Sequence, residues 1–262
     1  MSTTESRERT PRARRRVDIR ALLASQPMVR IGALAARFHV SAETIRRDID
    51  AMAAEGLLAR TYGGAAALHT AREPSLGQRS ELNGDARRRM AARAAARVHD
   101  GEVLMMDASA TCLHLANRLV VERRRLTIIT NSATMAQSLA ANPGFEILLA
   151  PGRFDARENA GYGALCTAFV ARFNADHCFS SCGALTADGP TEVGSDLAAV
   201  KRMMIERAQR TTLLVDQAKF GPGKLECVCA LTAIDTVICD QAPPASLAEA
   251  LHGAGVALHI AD

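Results

Sequence analysis

Two sets of residues carry the chemistry of this chain. The first is the run Ser41-Ala42-Glu43-Thr44-Ile45-Arg46-Arg47-Asp48. Ser41 is a good helix N-cap, and hydroxyls and backbone N–H groups at a helix start suit phosphate oxygens. An arginine on the same helix can fork onto the edge of guanine. Arg46 and Arg47 point ~100° apart on a helix, so both need not reach bases, and one is expected to hold a phosphate or to pair with Asp50 or Glu43. The second set lies where apolar runs give way to helices. Ser109, Thr111 and Ser132 offer hydroxyls at helix starts, where an anion can be held. Asp107, Asn131 and Asp216 could accept hydrogen bonds from hydroxyl groups of a ligand, and Lys201 or Lys219 could neutralise a phosphate.

The elements that position the first set are short. Val17, Ile19, Ala21, Leu22 and Leu23 suit a helix stopped by Gln26-Pro27. Ile31, Leu34, Ala35 and Phe38 suit a second, and His39-Val40 makes a tight connection. A third runs from Ser41 to about Glu55 with Ile45, Ile49, Met52 and Ala53 buried, and Gly56 ends it. Leu57 to Ala66 reads as a hairpin turning at Gly63-Gly64. Three helices and a β-wing make a winged helix-turn-helix. We expect a disordered basic tail over residues 1–15, the DNA-binding domain over 16–68, a linker over 69–83 and an α/β domain over 84–262.

In that last region a helix after Gly84 runs to about Val98. Apolar runs then alternate with helical stretches: Val103–Met106, Leu126–Thr130, Glu146–Leu149, His177–Ser181, Thr211–Val215, Thr236–Cys239 and Val256–Ile260. Continuous apolar strands alternating with helices imply a mostly parallel sheet covered on both faces. Ligands of such sheets sit outside the carboxyl ends of the strands.

Charge is unevenly divided. Residues 1–60 hold 12 Arg and 7 acidic residues, whereas the remainder holds 20 basic and 21 acidic ones. A basic module on a neutral body implies a polyanion partner for the first part only. The chain has 29 Arg and 3 Lys, so Lys201 and Lys219 stand out against a composition that prefers arginine. No apolar run reaches transmembrane length and the Arg-rich start lacks the apolar core of a signal peptide, which leads us to expect a cytoplasmic protein. The seven cysteines are expected to be reduced thiols. Cys227 and Cys229 form C-x-C, and Cys178 and Cys182 have three residues between them; neither is a strong metal spacing. No cofactor or metal is expected.

The run Val40 to Ile49, followed by Glu55-Gly56-Leu57-Leu58-Ala59-Arg60-Thr61-Tyr62-Gly63-Gly64-Ala65, closely resembles the DeoR-type helix-turn-helix, which reads V-S-x-x-T-I-R-R-D-L and then E-x-G-L-L-x-R-x-H-G-G-A. Tyr62 stands where the family has His. The resemblance continues to the C-terminus and implies a sensor domain related in fold to ribose-5-phosphate isomerase. Its landmarks fall on Asp107 to Thr111, on Thr130-Asn131-Ser132, on Gly152, on Gly183, Gly189 and Thr191, on Val200-Lys201, and on Asp216 to Gly221. The family loop D-x-G-[ST]-T is altered here to Asp107-Ala108-Ser109-Ala110-Thr111, losing a glycine that lets backbone approach a phosphate. Pro151-Gly152 stands where two glycines are usual.

The resemblance implies a repressor of carbohydrate-metabolism genes, a homo-oligomer (dimer or tetramer) released from double-stranded operator DNA by a sugar phosphate or related metabolite. Ser41, Thr44, Arg46, Arg47, Arg60 and Tyr62 are the expected DNA-contacting residues. Asp107, Ser109, Thr111, Asn131, Ser132, Gly152, Gly183, Thr191, Lys201, Asp216 and Lys219 are the expected effector-binding residues. Two other classes compete. A phosphosugar isomerase with a DNA module would need a positioned base, for which Asp107 and Asp176 are the candidates. A cysteine-based metal or redox regulator would use the thiols.

Overall fold

The computed structural model describes residues 11–25, 28–55, 57–61, 63–66, 76, 79 and 83–261. The chain divides into two compact units, Met1–Glu73 and Pro74–Asp262, and the division falls inside the segment expected to link two domains. The helix stops assigned to Gln26-Pro27 and Gly56, and the DNA contact assigned to Tyr62, lie outside the described residues.

The first unit runs α1 (Pro11–Ser25), β1 (Met28–Arg30), α2 (Ile31–Phe38), α3 (Ala42–Ala54), β2 (Ala59–Thr61) and β3 (Gly64–Ala66). Apolar residues three and four apart on each helix turn inward, so that Ile19, Leu23, Leu34, Ile45, Ile49, Met52 and Leu58 form one core. α1 begins six residues before Val17, inside the stretch expected to be a tail. The reason is electrostatic. Asp48 on α3 is buried and is met by Arg12 at 3.2 Å and Arg15 at 2.6 Å, while Arg16 meets Glu55 at 2.5 Å. The basic run is thus the face by which α1 holds α3. The wing has a third strand that the sequence pattern did not expose, because three residues are too few to show a period. β1 pairs antiparallel with β3, which pairs with β2.

In the second unit Leu76 and Arg79, within the stretch expected to be a linker, are helical; then come α4 (Gly84–Ala95), shorter than the helix expected to reach Val98, β4 (Val103–Met106), α5 (Ala110–Glu122), β5 (Thr127–Thr130), α6 (Ala133–Leu139) and β6 (Glu146–Leu149). A hairpin of β7 (Arg153–Asp155) and β8 (Ala160–Tyr162) follows, then α7 (Ala164–Val170) and β9 (Ala175–Ser180). Next come β10 (Ala184–Thr186), β11 (Gly189–Glu192), α8 (Ser195–Glu206), β12 (Ala208–Val215), β13 (Glu226–Cys227), β14 (Thr236–Cys239), α9 (Ala245–Gly253) and β15 (Ala257–Ile260). β10, β11 and β13 form a small antiparallel sheet.

The seven expected strands form one wholly parallel sheet in the order β15-β14-β12-β9-β4-β5-β6. Successive side chains on a strand face opposite ways, and two cores result. Met105, Ile129, Cys178, Leu213 and Val237 enter one. Their neighbours Leu104, Met106, Ile128, Phe179, Leu214 and Ile238 enter the other. Both faces being buried explains why these strands read as continuous apolar runs. From β4 the chain moves outward through β5 to β6, then returns to the other side of β4 and moves outward through β9, β12, β14 and β15. The direction reverses between β4 and β9, and at such a reversal the strand-to-helix connections part and leave a crevice at the carboxyl ends.

The wing offers a test of the fold. Gly64 pairs with Arg30, and a Cβ at Gly64 would lie 2.2 Å from the Val29 carbonyl oxygen. Gly64→Ala must therefore push β3 away from β1. We expect more than ~1 kcal/mol of destabilisation confined to the first unit, read as a lowered first transition in a thermal melt with DNA binding weakened. An unchanged melt would mean that β1 and β3 are not paired as described.

Candidate effector site and DNA-reading helix

At the reversal point Asp107 follows β4 and Ser181 follows β9. Asp107 is almost fully buried. Its Oδ2 accepts from Ser180 Oγ at 2.9 Å and from the Ser181 N–H at 3.2 Å, and it also meets the Lys201 ammonium. Lys201, reaching in from α8, donates to the Ser181 carbonyl at 2.8 Å and lies 3.0 Å from Glu192 Oε1. One buried ammonium thus serves two buried carboxylates and a carbonyl. Burial alone would raise the Asp107 carboxyl, but the charge and hydrogen bond of Lys201 outweigh burial and hold it below the ordinary carboxylate value. Burial would likewise lower Lys201, and the two carboxylates reverse that and hold it well above its ordinary value. Both groups stay charged.

Lys219 continues the network on the less buried side. Its Nζ donates to Ser181 Oγ at 2.9 Å, and that hydroxyl donates to the Leu214 carbonyl at 2.7 Å. Lys219 has no carboxylate partner among the described residues, so its charge is free for a ligand. Two acceptor-capable atoms at the end of β4 and the start of α5 are buried without a hydrogen-bond partner, Asp107 Oδ1 and Thr111 Oγ1. Buried polar atoms are rarely left so, and these two fit a ligand that brings hydroxyl groups.

The remaining expected residues are placed as follows. Ser109 Oγ caps α5 by accepting from the Cys112 N–H at 3.2 Å, and Ser132 Oγ caps α6 through the Met135 N–H at 3.2 Å. Asn131 ties two loops together: its Oδ1 accepts from the Ala108 N–H at 3.1 Å and its Nδ2 donates to the Gly161 carbonyl at 3.0 Å. Gly152, at φ +150°, packs so closely on Tyr162 that a Cβ would lie 2.5 Å from its carbonyl oxygen. Gly183 and Thr191 pair through backbone beside Glu192, and Thr191 Oγ1 accepts from the Lys224 N–H at 2.9 Å. Asp216 faces Arg87 at 3.0 Å and caps the turn Gln217–Lys219 through the Ala218 N–H. The structure therefore joins Asp107, Lys201 and Lys219 in one network through Ser181 at the β4–β9 reversal, with Ser109, Asn131 and Ser132 on the loops that follow β4 and β5. Asp176 lies at the other end of the sheet, accepting from the Val103 N–H at 2.8 Å. Sequence reading missed Ser180, Ser181, Glu192 and Arg87. Ser180-Ser181 was legible as a polar pair closing an apolar run; Glu192 and Arg87 carried no such signal.

Among the described residues no group of three or more His, Cys, Asp or Glu could hold a metal. Cys112, Cys166, Cys178, Cys182 and Cys239 are buried, and burial pushes the Cys182 thiol up to about 12, away from the reactive thiolate.

In the first unit Ser41 Oγ accepts from the Thr44 N–H at 3.1 Å and sits 2.9 Å from Thr44 Oγ1. Arg46 and Arg47 are both exposed on α3 and both lean on Glu43, at 3.5 and 3.4 Å. Arg60 on β2 pairs with Asp50 at 2.9 Å and is also exposed. α3 thus presents two guanidiniums loosely held by one carboxylate, beside a third on the wing.

The buried triad has a testable sign. In Lys201→Met, Asp107 and Glu192 stay buried without a cation, which costs about 3–5 kcal/mol near neutral pH. Burial then raises the Asp107 carboxyl above its unfolded value, so the folded variant binds a proton that the unfolded chain releases. Stability of the variant should rise as pH falls from about 7 to 5. The parent, whose Asp107 is lowered, keeps this contribution above the ordinary carboxylate value and loses it as pH falls further. Denaturant melts across pH measure both, and parallel profiles would show that the triad is not charged as described.

Residues 15–71 match the family model of the DeoR-like helix-turn-helix domain, and residues 82–241 match that of the DeoR C terminal sensor domain. An L-fucose operon activator of Haemophilus influenzae is 31% identical over 82% of this chain and 86% of its own length. A glycerol-3-phosphate regulon repressor of Escherichia coli is 28% identical over 88% of this chain and 91% of its own length. Among solved structures, ribose 5-phosphate isomerase A of Methanocaldococcus jannaschii aligns at a TM-score of 0.39 and 14% identity, over 52% of this chain and 54% of that one. With a reading helix on a winged unit, a charged crevice at the sheet reversal and both family models matched in order, the chain belongs to the DeoR family of DNA-binding transcriptional regulators.

Proposed function

We propose that this regulator is a cytoplasmic repressor of carbohydrate-metabolism genes that leaves its operator when a sugar phosphate occupies the crevice between β4 and β9. The observation that carries the reading is the crevice itself. Asp107 Oδ1 and Thr111 Oγ1 are buried without partners, and Lys219 brings a cation with no carboxylate opposite it among the described residues. Hydroxyl groups of the ligand answer the first two and its phosphate answers the third. Lys201 is already engaged by Asp107 and Glu192, so its role is to hold the crevice in shape. Ser109, Asn131, Ser132, Gly152, Gly183, Thr191 and Asp216 set the loops around it. The relatives are named as regulators of glycerol-3-phosphate and fucose genes, which supports a small hydroxylated effector.

Catalysis is the weaker reading. Asp107 Oδ2 is committed to Lys201, Ser180 and Ser181, and Asp176 lies at the far end of the sheet. On the DNA side, Ser41, Thr44, Arg46, Arg47 and Arg60 contact a palindromic site as a homo-oligomer, because two reading helices need a symmetric partner to grip two half-sites. The effector acts by binding the two states of the oligomer with different affinity.

Two measurements test this. A thermal-shift series of the full chain against sugar phosphates, free sugars and polyols should show a phosphate ester stabilising by ~2.7 kcal/mol at 100 times its dissociation constant. Lys219→Met should abolish the preference for the phosphorylated over the free ligand. Response to free polyols alone would remove phosphate from the proposal, and turnover of ribose 5-phosphate would favour the enzyme. For DNA, Arg46→Ala with Arg47→Ala should weaken operator binding by at least ~10-fold in a mobility-shift titration; intact binding would overturn the assignment of α3.

A further inference from the structure

Arg89, Arg93 and Arg97 follow one another four residues apart along α4 and the turn after it. Four residues are about one helical turn, so the three rise ~6 Å at a time along one face. Beside them runs β15, the edge strand of the large sheet. Helix and strand enclose a groove of about 570 Å³, lined by the three arginines, by Ala92, Ala96 and Ala261, and by His259. The guanidiniums converge on the end of β15. Arg89 Nε donates to the Ala261 carbonyl at 3.1 Å, and Arg97 Nη2 donates to His259 Nε2. Arg93 acts on the same ring: burial, and after it the charges of Arg97 and Arg93, hold the His259 imidazole below its ordinary value. His259 is therefore a neutral acceptor near pH 7. Among the described residues no carboxylate pairs with Arg89, Arg93 or Arg97, although their neighbour Arg88 has Asp85. Like charges one turn apart destabilise a helix, and the chain after residue 60 is as a whole balanced, with 20 basic and 21 acidic residues. The excess of cations is local to this groove.

We propose that the groove between α4 and β15 is a second ligand site and that it takes a nucleoside triphosphate. It lies apart from the crevice of the first site, since β14 and β12 separate β15 from β9. Each guanidinium has five N–H donors in a planar fork that matches phosphate oxygens. Arg89 and Arg97 each spend one on the protein and keep the rest. A single phosphate ester would answer one of the three cations and leave two unpaired, whereas a triphosphate answers all three. The alanines matter as much as the arginines. Ala92, Ala96 and Ala261 leave a low apolar floor between the cationic heads, which suits the flat face of a base, and a guanidinium can stack on the other face. The volume is that of a small-molecule cleft.

The test is calorimetric titration of the full chain with ATP, inorganic triphosphate and adenosine, without divalent metal. ATP should bind, triphosphate more weakly, and adenosine not at all. Arg93 is exposed and has no partner in the fold, so Arg93→Glu should keep the parental melt and weaken ATP by at least ~10-fold. Arg93→Gln serves if the Glu variant melts early, and should weaken ATP about fivefold. Arg88→Glu changes the net charge of the same helix equally but lines no part of the groove, so its ATP affinity should stay within about twofold of the parent. Lys219→Met, at the other site, should also leave ATP affinity unchanged. Absence of ATP binding, or equal losses in Arg93→Glu and Arg88→Glu, overturns the site. Loss in Lys219→Met with none in Arg93→Glu moves the nucleotide to the crevice and overturns it too. Triphosphate binding as tightly as ATP removes the nucleoside from the proposal. Displacement of ATP by a DNA duplex that Arg93→Glu binds at least ~10-fold more weakly than the parent assigns the groove to nucleic acid and overturns the nucleotide.

Discussion

The sensor depends on one constraint: two carboxylates, Asp107 and Glu192, are buried at the reversal of a parallel sheet, and one ammonium, Lys201, serves both. Removing charge from water is costly, and only close opposite charge and full hydrogen bonding offset it. Each member of the triad comes from a different element: the end of β4, the end of β11 and the middle of α8. The triad can be satisfied only when all three are in place, so it fixes α8 and the small antiparallel sheet relative to the main one. The same demand places the backbone of Ser181, which supplies an N–H to Asp107 and a carbonyl to Lys201.

That geometry separates two jobs that the sequence left joined. Lys201 and Lys219 looked equivalent as cations for a phosphate, since each stood out against an arginine-rich composition. The structure gives Lys201 three buried partners and Lys219 one hydroxyl. An ammonium already surrounded by oxygens shapes a site, whereas one with spare donors can bind. Ser109 and Ser132 divide similarly. Their hydroxyls satisfy the first turns of α5 and α6, and the altered loop, which lacks the usual glycine, is thereby stiffened at its helix start.

Much of the architecture was legible because it follows local periods. The seven parallel strands announced themselves as apolar runs, since burial on both faces removes the polar alternation. The Ser41 cap and the Ile45, Ile49 and Met52 face were readable from spacing alone. What escaped was non-local. The strand at Met28–Arg30 exists because β3 pairs with it, and the start of α1 at Pro11 exists because Asp48 needs a cation. Glu192 and Arg87 have no neighbours in sequence that mark them; their partners lie on distant elements. Residues that gather a site from afar are the ones a linear pattern cannot show.

The arginines of α1 carry a consequence for how this protein meets nucleic acid. The formal charge of the first 60 residues overstates what faces a polyanion, because Arg12 and Arg15 are turned toward Asp48 and Arg16 toward Glu55. The number of condensed counterions that a protein displaces from a duplex follows the cations it brings to phosphates, and not the total it owns. Any ionic-strength sensitivity of DNA binding therefore follows the arginines that reach phosphates, of which Arg46, Arg47 and Arg60 are exposed candidates.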